Sequence, residues 1–146
     1  MEKLQILETV RDKVLEKIEY LDRLISETRA SSNDTKSSMG DKYETGREML
    51  QQEINKLQTQ LNEVNLQFET LKTITERPSK KVEKGTLMRT ADGFFYISVA
   101  AGEIVYNGTK VFAISPESPL AKAANGFTAT QQFELNKRKI TIEEIW

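Results

Sequence analysis

Two grammars follow one another along the chain. From Leu4 to Ala30 there is no glycine or proline, and apolar residues recur in alternating steps of three and four: Leu4, Leu7, Val14, Ile18, Leu21 and Ile25, with Arg11 and Thr28 completing the series. A second run repeats the pattern with Tyr43, Arg47, Leu50, Ile54, Leu57, Leu61, Val64, Phe68 and Leu71. Both runs have the 3.5-residue period of a coiled coil. Two such helices joined by a short connector pack antiparallel. In a hairpin, facing residues have a nearly constant sum of residue numbers. Leu4 with Leu71, Leu7 with Phe68, Val14 with Leu61, Ile18 with Leu57, Leu21 with Ile54 and Ile25 with Leu50 all give 75. Each buried aliphatic of this kind contributes about 1.5–3 kcal/mol. The arm is expected to be about 40 Å long at the helical rise.

The grammar changes at Arg77-Pro78-Ser79. All three prolines, five of the seven glycines and eight of the eleven aromatics lie beyond it. The expected strands are Thr86 to Thr90, Phe94 to Val99, Ile104 to Tyr106, Lys110 to Ile114, Gln131 to Leu135 and Lys139 to Ile145. Asn107-Gly108 is a hairpin turn. Ser118 and Pro119 open a short helix as N-cap and first residue, and it runs through Ala124. The predicted class is α+β. It has an antiparallel helical hairpin over 1–77, a linker over 78–84 and a small antiparallel sheet domain with one short helix over 85–146. Phe94, Phe95, Tyr96, Phe112 and Phe133 are expected to form the core of that domain, with a base-stacking platform as the alternative.

Composition narrows the chemistry. The 146 residues include no cysteine and no histidine. That excludes a thiol nucleophile, a disulfide framework, a Ser-His-Asp relay and a Cys/His zinc site. The net charge of −1 argues against free DNA or RNA as the main partner. It is unevenly spread, −4 over residues 1–76 and +3 over 77–146. Lys80-Lys81-Lys84 and Lys137-Arg138-Lys139 read as solvated surface, with a phosphate or RNA contact as the alternative. No apolar run approaches the ~18 residues of a membrane span. A soluble cytoplasmic protein, monomeric because its seam is used internally, is expected.

The tip of the hairpin, Ser31 to Asp41, is small and polar and is expected to form a loop. Asp34 and Asp41 also give the sum of 75, and Glu44 stands one turn from Asp41. Three carboxylates over 31–44 can form a hard-cation site. The alternative is capping, with Asp41 as N-cap and Glu44 at the third position.

Local matches now add a resemblance. Asn33-Asp34-Thr35-Lys36 with the later Arg47-Glu48, the segment from Ile114 to Ala123 around Ser118-Pro119-Leu120-Ala121-Lys122, and the closing Lys139 to Ile145 resemble the GreA/GreB transcript cleavage factors. The resemblance implies an FKBP-like second half. It also implies binding to bacterial RNA polymerase at the rim of the secondary channel, with Ser118, Pro119, Leu120 and Lys122 in the docking segment. The arm would enter the channel and reach the nascent RNA 3′ end only within that complex. Asp34, Asp41 and Glu44 are then the tip acids. Asp34 and Asp41 would help hold a Mg²⁺ shared with the polymerase, which activates water for RNA cleavage. The chain would be an accessory factor, not an enzyme, with no cofactor of its own. Ser37 and Ser38 depart from the family's pattern, which has Glu and Asn there; polymerase binding is expected, with one tip carboxylate fewer for stimulated cleavage. Two other functions fit parts of the pattern. An FKBP-like sheet can carry prolyl isomerase activity, and a coiled coil can serve as an adaptor.

Overall fold

The computed structural model describes residues 1–36 and 42–146, with side chains outside 32–45. It opens on two long helices, α1 (Lys3–Lys36) and α2 (Lys42–Leu71). The strands that follow are β1 (Leu87–Thr90), β2 (Gly93–Ile97), β3 (Gly102–Tyr106) and β4 (Thr109–Ile114). Helix α3 (Pro119–Ala124) precedes β5 (Gln132–Leu135), β6 (Arg138–Thr141) and β7 (Glu144–Ile145). The fold is therefore the expected helical hairpin followed by a small sheet and one short helix. Among the described residues, no helix is long and apolar enough to cross a membrane.

Packing divides the chain into two compact units. One is Val14–Leu66, the larger part of both long helices. Its buried positions are Val14, Leu21, Ile25, Ile54, Leu57, Leu61 and Val64, which are seam residues of the sequence pattern. Ile18 and Leu50 are half-buried, while Tyr20, Met49 and Leu66 are exposed. The apolar stripe is thus narrow, as a two-helix seam requires.

The other unit joins Met1–Lys13 to Gln67–Trp146. Its main sheet has the order β3-β4-β2-β1-β7, with β5 and β6 as a separate ribbon. Pairing is antiparallel except between β2 and β4, which run parallel with Phe95 beside Phe112. One face carries Met88, Ile97, Phe95, Ile114 and Ile145. Helix α3 and the β5–β6 ribbon close over it with Ala121, Ala124, Phe133 and Ile140. The opposite face carries Leu87, Tyr96, Val111 and Ile104, also buried. The first turns of α1 adjoin the β3 edge: Tyr106 Oη donates to Gln5 Oε1 at 2.6 Å, and Lys13 Nζ donates to the Glu103 carbonyl at 2.6 Å. A lysine on an outward carbonyl also blunts an exposed strand edge.

These contacts explain two departures at the start of α1. Lys3, Ile6, Leu7 and Val10 are buried, whereas Leu4 is 46% exposed. The face turned inward is set by the sheet as well as by the seam, so Leu4 does not cover the buried Leu71. Lys3 Nζ donates to the Arg77 carbonyl at 2.8 Å and to Ser79 Oγ at 3.3 Å, pinning the chain at Pro78 to α1. Burial pushes its pKa down, and the Glu83 carboxylate partly restores it.

Other boundaries also move. Helix α2 ends at Leu71, well before Pro78, and just beyond it Thr73 donates both its N–H (3.0 Å) and its Oγ1 hydroxyl (2.7 Å) to the Thr70 carbonyl. Helix α1 continues to Lys36, so Ser31–Lys36 is helix and not loop. Propagating a long helix by a turn costs little once it is nucleated, even through polar residues. The expected strand from Lys139 to Ile145 is two. Ile142 N–H bonds the Gln131 carbonyl on the ribbon side, and Glu143 N–H bonds the Arg89 carbonyl on the main sheet.

Two consequences can be measured. Burial raises the Tyr96 hydroxyl from 10.0 to about 12, against a smaller opposing pull from the Arg11 guanidinium. The folded state therefore holds the proton that the unfolded chain releases first. The associated stability, about 2–3 kcal/mol, is present below pH 10 and lost as pH rises towards about 12. Urea unfolding at pH 9 and pH 11.5 should show that loss in the native chain and not in Tyr96→Phe. The β5–β6 turn places Asn136 at φ 51° and Lys137 at φ 65°. A lysine in the left-handed region is strained by about 1–2 kcal/mol, partly offset by its lower unfolded-state entropy relative to glycine. Lys137→Gly should raise stability by about 0.5–1 kcal/mol in the same assay.

Candidate functional site

The segment that opens α3 is built from serine side chains acting on the backbone. Ser115 Oγ accepts from Glu117 N–H at 3.1 Å, and Ser118 N–H donates to the Ser115 carbonyl at 3.0 Å. Ser118 then takes an extended conformation (φ −64°, ψ 151°), and its Oγ accepts from Ala121 N–H at 3.2 Å. Pro119 occupies the first helical position, where its missing N–H and fixed φ cost nothing. Ser118 and Pro119 therefore stand as the sequence predicts.

That cap divides the helix into an inner and an outer face. Ala121 and Ala124 are buried, and Leu120 packs half-buried against the core. Pro119 and Lys122 are exposed, and Lys122 Nζ lies 3.5 Å from Glu117 Oε2 across solvent. So Ser118 and Leu120 hold the segment in shape, while Pro119 and Lys122 face solvent. Such an exposed ion pair is worth little to stability.

Beside the cap lies an open groove of about 480 Å³, lined by Ala100, Gly102, Ala113, Ile114, Ser115, Glu117 and Ser118. Sequence reasoning missed Ala100, Gly102 and Ala113. The signal was faint: three small residues on separate segments, whose lack of bulk leaves the space. Gly102 has φ +80°, and a Cβ there would lie 3.6 Å from Lys13 Nζ. No aromatic ring lines this groove.

Of the aromatics expected in the core, Tyr96 and Phe133 are buried, while Phe94, Phe95 and Phe112 are half-buried. Phe95 stacks on Phe112 with centroids 5.6 Å apart, Phe127 meets Phe133 at 6.3 Å, and Trp146 meets Phe94 at 6.1 Å. Of the basic clusters, Arg138 reaches Asp92 at 3.4 Å and Lys84 Nζ donates to Thr73 Oγ1 at 2.9 Å.

The tip acids are placed by backbone alone. Asp34 stands in the last turn of α1 and Glu44 in the first turn of α2, while Asp41 lies outside the described residues. Helix α2 begins at Lys42, so Glu44 is its third residue, the position the capping reading requires. Among the described residues no group of three carboxylates is placed to hold a metal ion.

No family model and no curated protein matches the chain. Among solved structures it is similar to the transcription factor Gfh1, over 94% of this chain and 93% of that one, at 14% identity and a TM-score of 0.40. It is also similar to GreA factor homolog 1 (Gfh1) of Thermus thermophilus, over 93% and 94% respectively, at 18% identity and a TM-score of 0.39.

Proposed function

We propose that this chain is a regulator of bacterial RNA polymerase of the GreA/GreB kind. It docks through the Ser118–Lys122 segment at the rim of the secondary channel, and its helical hairpin enters the channel. The observation that carries the reading is the capped start of α3. The residues of the resemblance adopt a defined shape, with Pro119 and Lys122 exposed on a helix whose other face is anchored. Leu120 contributes from its half-buried position. The long helices, with their narrow seam and polar outer faces, supply a stiff element suited to insertion.

In this reading catalysis belongs to the polymerase. Asp34, Asp41 and Glu44 add negative charge near its Mg²⁺. The chain modulates elongation by occupying the channel, and stimulates cleavage only as far as its reduced set of tip carboxylates allows. The prolyl isomerase reading has less support, since the groove beside α3 is lined by small side chains and no ring.

Capture of core RNA polymerase on the immobilised full chain tests the docking. Native protein should retain polymerase. Ser118→Ala combined with Pro119→Gly should reduce retention at least tenfold with the sheet still folded by circular dichroism. Absence of capture by the native chain would overturn the proposal. Cleavage is read separately, by shortening of RNA in stalled complexes with Mg²⁺, which Asp34→Ala should abolish.

A further inference from the structure

Two neighbouring residues of α2 have no packing reason to be what they are. Gly46 lies inside the helix, and a Cβ built on it meets nothing within 4 Å. Alanine would fit, and glycine weakens a helix interior. Arg47 stands on the seam, where α2 otherwise carries Leu50, Ile54, Leu57 and Leu61. It is half-buried, and its Nε is buried with no hydrogen-bond partner among the described residues. The constant-sum register sets it opposite Thr28, also half-buried, whose Oγ1 donates back to the Leu24 carbonyl of its own helix at 2.7 Å. This layer of the Val14–Leu66 unit is thus polar on both helices. The layers containing Val14, Leu21, Ile54, Leu57 and Leu61 are buried and aliphatic.

We propose that the Thr28/Arg47 layer is a built-in weak link, at which the two helices part locally while the aliphatic seam stays closed. A buried guanidinium N–H without an acceptor penalises the closed state and regains water on opening. Glycine beside it gives the open chain more freedom. Threonine, bonded within its own turn, ties neither helix to the other. Three independent choices therefore lower the local opening energy, and the fold requires none of them. The inference concerns the isolated chain and stands or falls independently of the polymerase reading.

Hydrogen exchange of the full chain tests it. Peptides covering residues 22–31 and 46–52 should exchange at least tenfold faster than those covering 14–21 and 54–64. Gly46→Ala should slow the fast peptides about fivefold, the equivalent of one helix-interior glycine. Arg47→Leu should slow them at least as much, and neither should change residues 54–64. Equal protection along the native helices would overturn the proposal. So would fast outer peptides that neither variant slows, since simple end fraying would then suffice. Should Arg47→Leu associate through its new apolar seam, Gly46→Ala alone decides.

Discussion

Phe133→Ala is expected to destabilise the sheet-bearing unit by about 3–5 kcal/mol, read as a lowered urea midpoint. Phe133 is 2% exposed and sits where three elements meet. It pairs with Ile140 across the β5–β6 ribbon, its ring meets Phe127, and it shares a core with Met88, Ile97, Ala121 and Ala124. Truncation removes the ring and leaves a cavity between the ribbon and the sheet. The neighbours Ala121 and Ala124 are too small to fill it. A sheet domain of this size has little stability in reserve, so the loss takes most of it. Because α3 rests on that core, the variant should also lose polymerase capture, although Phe133 itself faces away from solvent.

Leu61→Ala should cost about 2–5 kcal/mol, the second-largest effect. Leu61 is 6% exposed on the seam of α2, where the register sets it opposite the buried Val14. The paired test is Met49→Ala on the same helix. Met49 is 65% exposed, and its loss should stay within about 0.5 kcal/mol. Both substitutions favour helix formation in the isolated chain, so propensity cannot account for the difference in size. Equal effects of the two would mean that the periodic positions do not face a partner helix.

The hairpin was legible because its signal is repeated many times. Two heptad-like runs with a common register over-determine one another, and a single poor residue such as Arg11 does not blur them. The Asn107-Gly108 turn and the Ser118-Pro119 helix start were legible for a different reason. Each is set by local backbone chemistry, φ 48° and 76° in the turn and a side-chain cap at the helix. What the pattern could not reveal depends on distant packing. Leu4 looked like seam and is exposed, because the β3 edge helps decide which face of α1 turns inward. Lys3 lies off the periodic seam positions, yet it is buried and bonds the Arg77 carbonyl. The parallel pairing of β2 with β4 and the split of the final strand between two sheets leave no period in the sequence. The groove beside α3 escaped for the same reason, since its small residues come together only in the fold.

The candidate site divides along the same line. Ser118, Pro119, Leu120 and Lys122 lie on one contiguous segment, in which the structure uses Ser118 as the cap, packs Leu120 against the core and leaves Pro119 and Lys122 exposed. For the tip acids, the sequence gives spacing and the structure gives helix position for Asp34 and Glu44 alone.

In the proposed role, the far end of the hairpin reaches the catalytic centre of RNA polymerase. The chain has no native cysteine, so Asp34→Cys creates a unique attachment point for a photo-cross-linker. Irradiated with core polymerase, the labelled protein should cross-link to polymerase segments that surround the catalytic Mg²⁺, and excess unlabelled chain should compete the adduct away. A captured polymerase cross-linked only on its outer surface, or not at all, would contradict the account.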